Sequence, residues 1–259
     1  MKFVFDLDGT ICFKGQPVSN KILTSLEYLV TKEHEVIFAS ARPIRDLLPV
    51  LHKRFHSFKM IGGNGSIVMD EGEIISVKQF SDEVLSTIFY LIEQYRITYL
   101  VDSDWDYAYT GSNDHPILQN IDREKRANNI PLEKLHPIIK ILMLSANNLK
   151  KLEKELDKLN IVVHKHRHEG VLDISPAGVD KWSGLQKLGV KEGEFIAFGN
   201  DANDIPIFQP ALHTVMIGNH AELASFAKEQ IPMNEMTETS IVQKIIMLAD
   251  KYGISKTVC

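Results

Sequence analysis

The chain opens on a short apolar run, "KFVF", that stops abruptly at "DLDGT". A brief, unbroken apolar stretch bounded by turn residues predicts a strand buried on both faces. Asn20 to Val30 follows with Ile22, Leu26 and Leu29 at helical spacing. "HEVIFASARP" then repeats the apolar run, again with polar residues just past its end. Strand, helix and strand in that order, each strand ending in polar residues, predict a doubly wound α/β sheet whose ligands sit beyond the carboxyl ends of the strands. "KMIGGNGSIV" predicts the third strand.

Past Phe80 the pattern changes. A helical "SDEVLSTIFYLIEQY" leads into alternating "YLVDSDWDYAYTG", and "IIKILMLS", "NLKKLEKELDKL" and "IVVHKHRHEGVLDIS" follow. These read as a second α/β module. "DKWSGLQKLGV" as a helix and "EFIAFGND" and "HTVMIGN" as strands then return to the first pattern. The economical organisation is one domain made from 1–80 and 172–259, with 81–171 inserted into it. A length of 259 residues suits two domains.

Composition narrows the function. The chain is 44% hydrophobic and 24% charged with a net charge of −5, so it lacks the basic excess of a nucleic-acid binder. Cys12 and Cys259 stand at opposite ends and make no disulfide framework, which fits a reducing compartment. Met1-Lys2 leads straight into a strand, so neither a signal peptide nor a membrane span is expected, and the location expected is cytoplasmic. A mildly acidic protein that handles an anion needs local positive charge, so isolated Lys and Arg residues near any proposed site carry extra weight.

Four fragments carry chemistry. Asp6 and Asp8 are two apart at the end of a strand, so in extended backbone both point the same way. Their repulsion is relieved by a hard cation such as Mg²⁺, although Asp8-Gly9 alone would also suit a turn. Ser40 precedes "RPIRDLL", where it serves as a helix cap and as a hydroxyl at a phosphate-binding helix start. Lys181 follows the capping residue Asp180, a mildly unfavourable place for a cation and therefore one that suggests a task. "GNDAND" sets Asn200, Asp201, Asn203 and Asp204 directly after an apolar run, and Asn203 or Asp204 also suits capping the helix that contains Pro206.

"DLDGT", Ser40, Lys181 and "GNDAND", in that order, resemble the four motifs of the haloacid dehalogenase (HAD) superfamily of phosphotransferases, and the insert resembles the larger α/β cap of its Cof-type branch, subclass IIB. The resemblance covers nearly the whole chain. It implies a Rossmann-like, mostly parallel core with an inserted cap, and a Mg²⁺-dependent phosphatase acting on a small phosphorylated metabolite such as a sugar phosphate or cofactor phosphate. Asp6 is then the nucleophile that forms an aspartyl-phosphate and Asp8 the general acid and base. Ser40, Arg42, Lys181 and Asn203 contact phosphate or substrate, and Asp6 and Asp8 hold metal together with the fourth motif. That motif usually reads Gly-Asp-x-x-Asn-Asp, so Asn200 departs from it. Asn200, Asp201 or Asp204 then completes the metal site, with Asp204 acting directly or through water, and fewer negative ligands imply weaker Mg²⁺ binding. A phosphomutase and a non-catalytic phospho-ligand sensor are the rival readings. Asn64 in "GGNGS" and the segment Gly218 to Leu223 resemble structural turns of the family.

In the insert, Trp105, Tyr107 and Tyr109 alternate with Asp104 and Asp106, as in a sheet with one buried and one wet face. His164, His166 and His168 alternate on one strand face, and the intervening Lys165 and Arg167 favour a solvated or anion-facing strand over a metal site. Cys12 lies near Asp8 and has no partner for thiol catalysis, so packing is its expected role.

Overall fold

The computed structural model describes residues 1–166 and 170–253. Their strands form two sheets. The larger contains β1 (Lys2–Phe5), β2 (Glu35–Ala39), β3 (Lys59–Gly62), β4 (Ile67–Asp70) and β5 (Glu73–Val77). The smaller is built from β6 (Thr98–Asp102), β7 (Tyr107–Tyr109), β8 (Lys140–Ser145), β9 (Ile161–His166) and β10 (Val171–Pro176). The chain then rejoins the larger sheet with β11 (Phe195–Gly199), β12 (His213–Ile217) and β13 (Glu229–Ile231), giving the order β13-β12-β11-β1-β2-β3-β4-β5.

The period of two along β1 decides the layers. Phe3 and Phe5 face α1 (Asn20–Thr31) and, with Ile22, Leu26 and Leu29 from it, join one buried cluster. Further along the chain α2 (Ile44–Leu47), α3 (Asp82–Gln94), α4 (Leu149–Leu156), α5 (Lys181–Lys187), α6 (Ile205–Phe208), α7 (Ala221–Ala224) and α8 (Thr237–Tyr252) complete the helices. Ile241, Ile245 and Leu248 of α8 lie in the same cluster as α1. Val4 turns the other way, into a second cluster with Leu185 of α5, Ile207 of α6 and Leu223 of α7. Helices on both faces of a central parallel sheet make the doubly wound α/β core expected from the sequence. Ser19 starts α1 as its cap by accepting from the Ile22 N–H.

The smaller sheet follows the same rule. Val101, Ile141, Met143, Leu172 and Ile174 face α3 and α4 and form a third cluster. The alternate residues of β6, β8 and β10 face the larger sheet.

Three expectations need correction. "KMIGGNGSIV" is two antiparallel strands, β3 and β4, because Gly63, Asn64 and Gly65 all take left-handed backbone and reverse the chain. Residue 172 lies inside β10, which pairs with β8 and β9, so the return to the larger sheet comes after Pro176. Trp105 precedes β7, so the aromatic alternation extends only over Tyr107 and Tyr109. Of the three alternating histidines, His168 lies outside the described residues, while His164 pairs with Asp173 across the β9–β10 ladder.

Candidate active site

Strand order reverses at β1, with β2 on one side and β11, reached only after the insert, on the other. A crevice opens at such a switch point. The β1–β11 register pairs Phe5 with Phe198, and the Asp6 N–H donates to the Phe198 carbonyl at 3.0 Å. Asp6, Ser40 and Asn200 therefore arrive side by side past the ends of three neighbouring strands.

A buried ionic trio anchors this crevice. Lys181, the first residue of α5, is fully buried and donates from Nζ to Asp6 Oδ1 at 2.7 Å and to Asp204 Oδ1 at 2.6 Å. The α5 start is fixed by a capping box between Asp180 and Ser183, which aims Lys181 inward. Asp204 Oδ2 accepts from the backbone N–H groups of Asn200 and Asp201 at 2.8 and 3.1 Å. Gly199 is required there, because a Cβ would lie 2.5 Å from Asp204 Cγ. The Thr10 hydroxyl donates to Asp6 Oδ2 at 2.8 Å. Burial, reinforced by Asp204 and opposed by Lys181, pushes the Asp6 carboxyl up to about 7. Burial also disfavours charge on Lys181, but Asp204 and Asp6 outweigh it and raise its pKa.

Asp8 stands further out. Both its oxygens accept from Arg42, Oδ2 from Nε and Oδ1 from NH2, each at 2.6 Å. That two-point grip fixes the orientation of the carboxylate. Ser40, 1% exposed, accepts at its hydroxyl from the Arg42 N–H at 3.1 Å. Asn203 donates to Asn64 Oδ1 at 3.1 Å, so the Asn64 turn has a positioning task beyond its fold role.

The fourth-motif residues separate into three environments. Asp204 is fully buried with both oxygens engaged, and Asp201, half-exposed on the cavity lining, accepts from the Ala202 N–H and lies 3.1 Å from His220. Asn200 alone aims its amide at Asp6. One atom of that amide lies 3.0 Å from both Asp6 Oδ2 and the Asp8 carbonyl and 3.2 Å from Thr10 Oγ1. Occupied by nitrogen, this position donates to the surrounding oxygens; occupied by oxygen, it completes a cluster of hard ligands suited to Mg²⁺. The donor set therefore fits the ion, with Asp6 as its sole carboxylate. Among the described residues no group of three His, Cys, Asp or Glu side chains is arranged to hold a metal.

A cavity of about 630 Å³ opens from this cluster toward the smaller sheet. Asp6, Asp8, Ser40, Arg42, Asn200 and Asn203 line one side; Leu100, Asp102, Lys140, Leu142, Val171 and Asp173 line the other. The second set is the unpacked face of β6, β8 and β10. Lys140 Nζ pairs with Asp173 at 2.9 Å and donates to the Ala41 carbonyl at 2.7 Å. Arg45 joins Asp46 at 2.6 Å to Asp102 at 2.8 Å and donates to the Trp105 carbonyl at 2.7 Å. Sequence reasoning missed Thr10, Arg45 and these facing residues. The signal available for Lys140 and Asp173 was a lone charge inside an apolar strand. Cys12 is buried, its thiol donates to the Gln16 carbonyl, and burial pushes its pKa up to about 11, as suits packing.

A phosphoryl-handling α/β core covered by a second sheet is the class these features define. The haloacid dehalogenase-like hydrolase family matches residues 3–245. The chain belongs to that family, and among its members it stands with the phosphatases. It is 26% identical to the HMP-PP phosphatase of Serratia proteamaculans over 83% of this chain and 82% of the relative. It is 24% identical to the phosphoglycolate phosphatase of Nitrosopumilus maritimus over 85% and 84%. In fold it resembles a haloacid dehalogenase-like hydrolase from Bacteroides thetaiotaomicron, with a TM-score of 0.76 at 20% identity over 95% of this chain and 98% of that one. A structure described as an HAD subclass IIB sugar phosphatase gives a TM-score of 0.74 at 16% identity over 95% and 98%.

Proposed function

We propose that the protein is a Mg²⁺-dependent phosphatase that hydrolyses a small phosphorylated metabolite, a sugar phosphate or cofactor phosphate, through an aspartyl-phosphate on Asp6. The observation that carries this reading is Asp6 itself: a buried carboxylate held by Lys181 and Thr10 at the mouth of a cavity sized for a small molecule.

An Asp6 oxygen attacks phosphorus while Asp8 gives its proton to the leaving oxygen, breaking the ester and forming the acyl phosphate. Asp8, now a carboxylate, takes a proton from water as water attacks the phosphoryl group, and Asp6 is regenerated. Arg42 keeps Asp8 oriented for both transfers. Lys181, the Ser40 hydroxyl and Asn203 hold the phosphoryl oxygens and stabilise charge that grows on them. Asp6, the Asp8 carbonyl and Asn200 are the residues that would hold Mg²⁺, with Asp204 behind them and Asp201 outside. The ion supplies, when bound, positive charge beside the transferring group.

In this reading residues 81–176 form the cap that closes over the site and excludes water, and the core is made from 1–80 and the chain after 176. Among the described residues no helix is long and apolar enough to cross a membrane. Phosphate release from a panel of sugar, nucleotide and cofactor phosphates, with Mg²⁺ and with chelator, tests the reading. Release that needs both metal and Asp6 supports it. Tight binding of phosphorylated ligands without release would instead identify a sensor.

A further inference from the structure

The cavity has an unusual charge distribution for a site that binds phosphate esters. Among the described residues, Asp6, Asp8, Asp46, Asp102, Asp173 and Asp201 line it, against two fixed cations, Arg42 and Lys140. Both cations are already committed. Arg42 holds both oxygens of Asp8, and Lys140 holds Asp173 and the Ala41 carbonyl. Arg45, behind the lining, is divided between Asp46 and Asp102. Lys181 is divided between Asp6 and Asp204.

We infer that the facing sheet is an acid-rejecting specificity element: Asp102, Lys140 and Asp173 select a leaving group that donates hydrogen bonds and carries no negative charge of its own. The inference rests on the phosphatase reading and concerns the half of the substrate that leaves. A carboxylate or second phosphate there would have to draw buried Lys140 from buried Asp173, or Arg42 from the more exposed Asp8, leaving a carboxylate unpaired beside the incoming anion. Like charges brought together in such surroundings are strongly unfavourable. Hydroxyl groups meet the opposite situation, because carboxylates accept hydrogen bonds from them without giving up their cations. Leu100, Leu142 and Val171, on the same face, offer apolar surface to the carbon skeleton. The register sets these rows: Asp102 lies across from Lys140, and Leu100 from Leu142, which in turn lies across from Asp173.

Sorbitol 6-phosphate and gluconate 6-phosphate test this, since they share a chain and a phosphate and differ in a terminal hydroxymethyl or carboxylate. p-Nitrophenyl phosphate serves as the common reference for the hydrolytic step. The wild-type protein is expected to favour sorbitol 6-phosphate in kcat/KM by about tenfold or more, chiefly through KM. Asp173→Asn leaves Lys140 with charge to spare and is expected to narrow that ratio; because the readout is a ratio, a lower total activity does not obscure it. If that variant does not fold, the wild-type ratio decides alone. Equal or better use of gluconate 6-phosphate overturns the inference while leaving the phosphatase reading intact, as does turnover of p-nitrophenyl phosphate with neither hexose compound used. Turnover of none of the three overturns the phosphatase reading and the inference with it.

Discussion

Two buried lysines, one under each sheet face of the cavity, set the two halves of the site apart. Lys181 reaches from the start of a helix to two carboxylates at the ends of parallel strands, and one of them, Asp6, opens on the cavity. Lys140 projects from the middle of an antiparallel sheet to one carboxylate and one carbonyl, which its charge satisfies without residue. The first arrangement leaves a net negative charge that an electrophilic phosphorus can meet. The second is locally neutral. A buried cation thus activates in one place and filters in the other, and the difference lies in the number of carboxylates it faces.

The largest expected effect removes the reactive carboxylate. Asp6→Asn is expected to lower kcat by about 10⁴-fold or more while the thermal melt stays close to wild type, because Lys181 keeps Asp204. Steady-state turnover in that variant would remove Asp6 from the nucleophile's role. The lysines themselves come next. Lys181→Met leaves Asp6 and Asp204 unpaired in a buried site and is expected to cost about 3–5 kcal/mol by denaturant unfolding, with activity lost as well. Lys140→Met is expected to destabilise too, yet to change kcat by no more than about tenfold, since Lys140 touches the loop after β2 only at the Ala41 carbonyl. A loss of kcat in Lys140→Met as large as in Lys181→Met would erase the distinction between the halves.

The pH profile sharpens the contrast without mutation. Asp6 must be ionised to attack, so the rate rises with pH through its pKa. Burial raises that pKa from the model-compound value of 3.8 to about 7, so the acid limb of kcat/KM is expected near neutrality and is expected to move down as Mg²⁺ is raised. A limb at ordinary carboxylate pH at low Mg²⁺ would place the reactive group elsewhere. Arg42→Lys is the smallest change. It keeps the charge but loses the two-point grip on Asp8, and a fall in kcat of about tenfold is expected from turnover assays. For the metal cluster, Asn200→Asp is expected to tighten Mg²⁺ in a calorimetric titration, because a second carboxylate then faces the ion.

The core half of the site was legible in the chain because each of its residues follows a strand or caps a helix, and those positions are marked by local pattern. Asp6 and Asp8 follow β1, Ser40 follows β2, Lys181 begins α5, and "NDAND" follows β11. Parallel strands buried on both faces leave only their ends for polar residues, so polarity at a strand end is informative. The cap half was not legible in this way. Leu100, Asp102, Lys140, Leu142, Val171 and Asp173 matter because three strands far apart in sequence pair in one register and turn the same face inward. Apart from the lone charges of Lys140 and Asp173 inside apolar strands, nothing local distinguishes them from ordinary strand residues. The task of Asn64 escaped for a related reason, since its partner Asn203 is brought near only by the fold, whereas Thr10 lies four residues from Asp6 and reads as an ordinary turn residue.

By itself, then, the sequence determined the alternation of strands and helices and the doubly wound core, because hydrophobic period and turn chemistry are local; the roles given to Asp6, Asp8, Ser40 and Lys181 came from the resemblance of their motifs to the family. Only the tertiary structure decided which carboxylate opens on the cavity and which is enclosed. Asp6 and Asp204 look alike in the sequence. Both oxygens of each are engaged, those of Asp204 by Lys181 and two backbone N–H groups and those of Asp6 by Lys181 and Thr10, yet only Asp6 lines the cavity. The reactivity of a buried charge is set by the count and placement of its partners, and those partners come from strand ends and helix starts that meet only when the sheet is assembled.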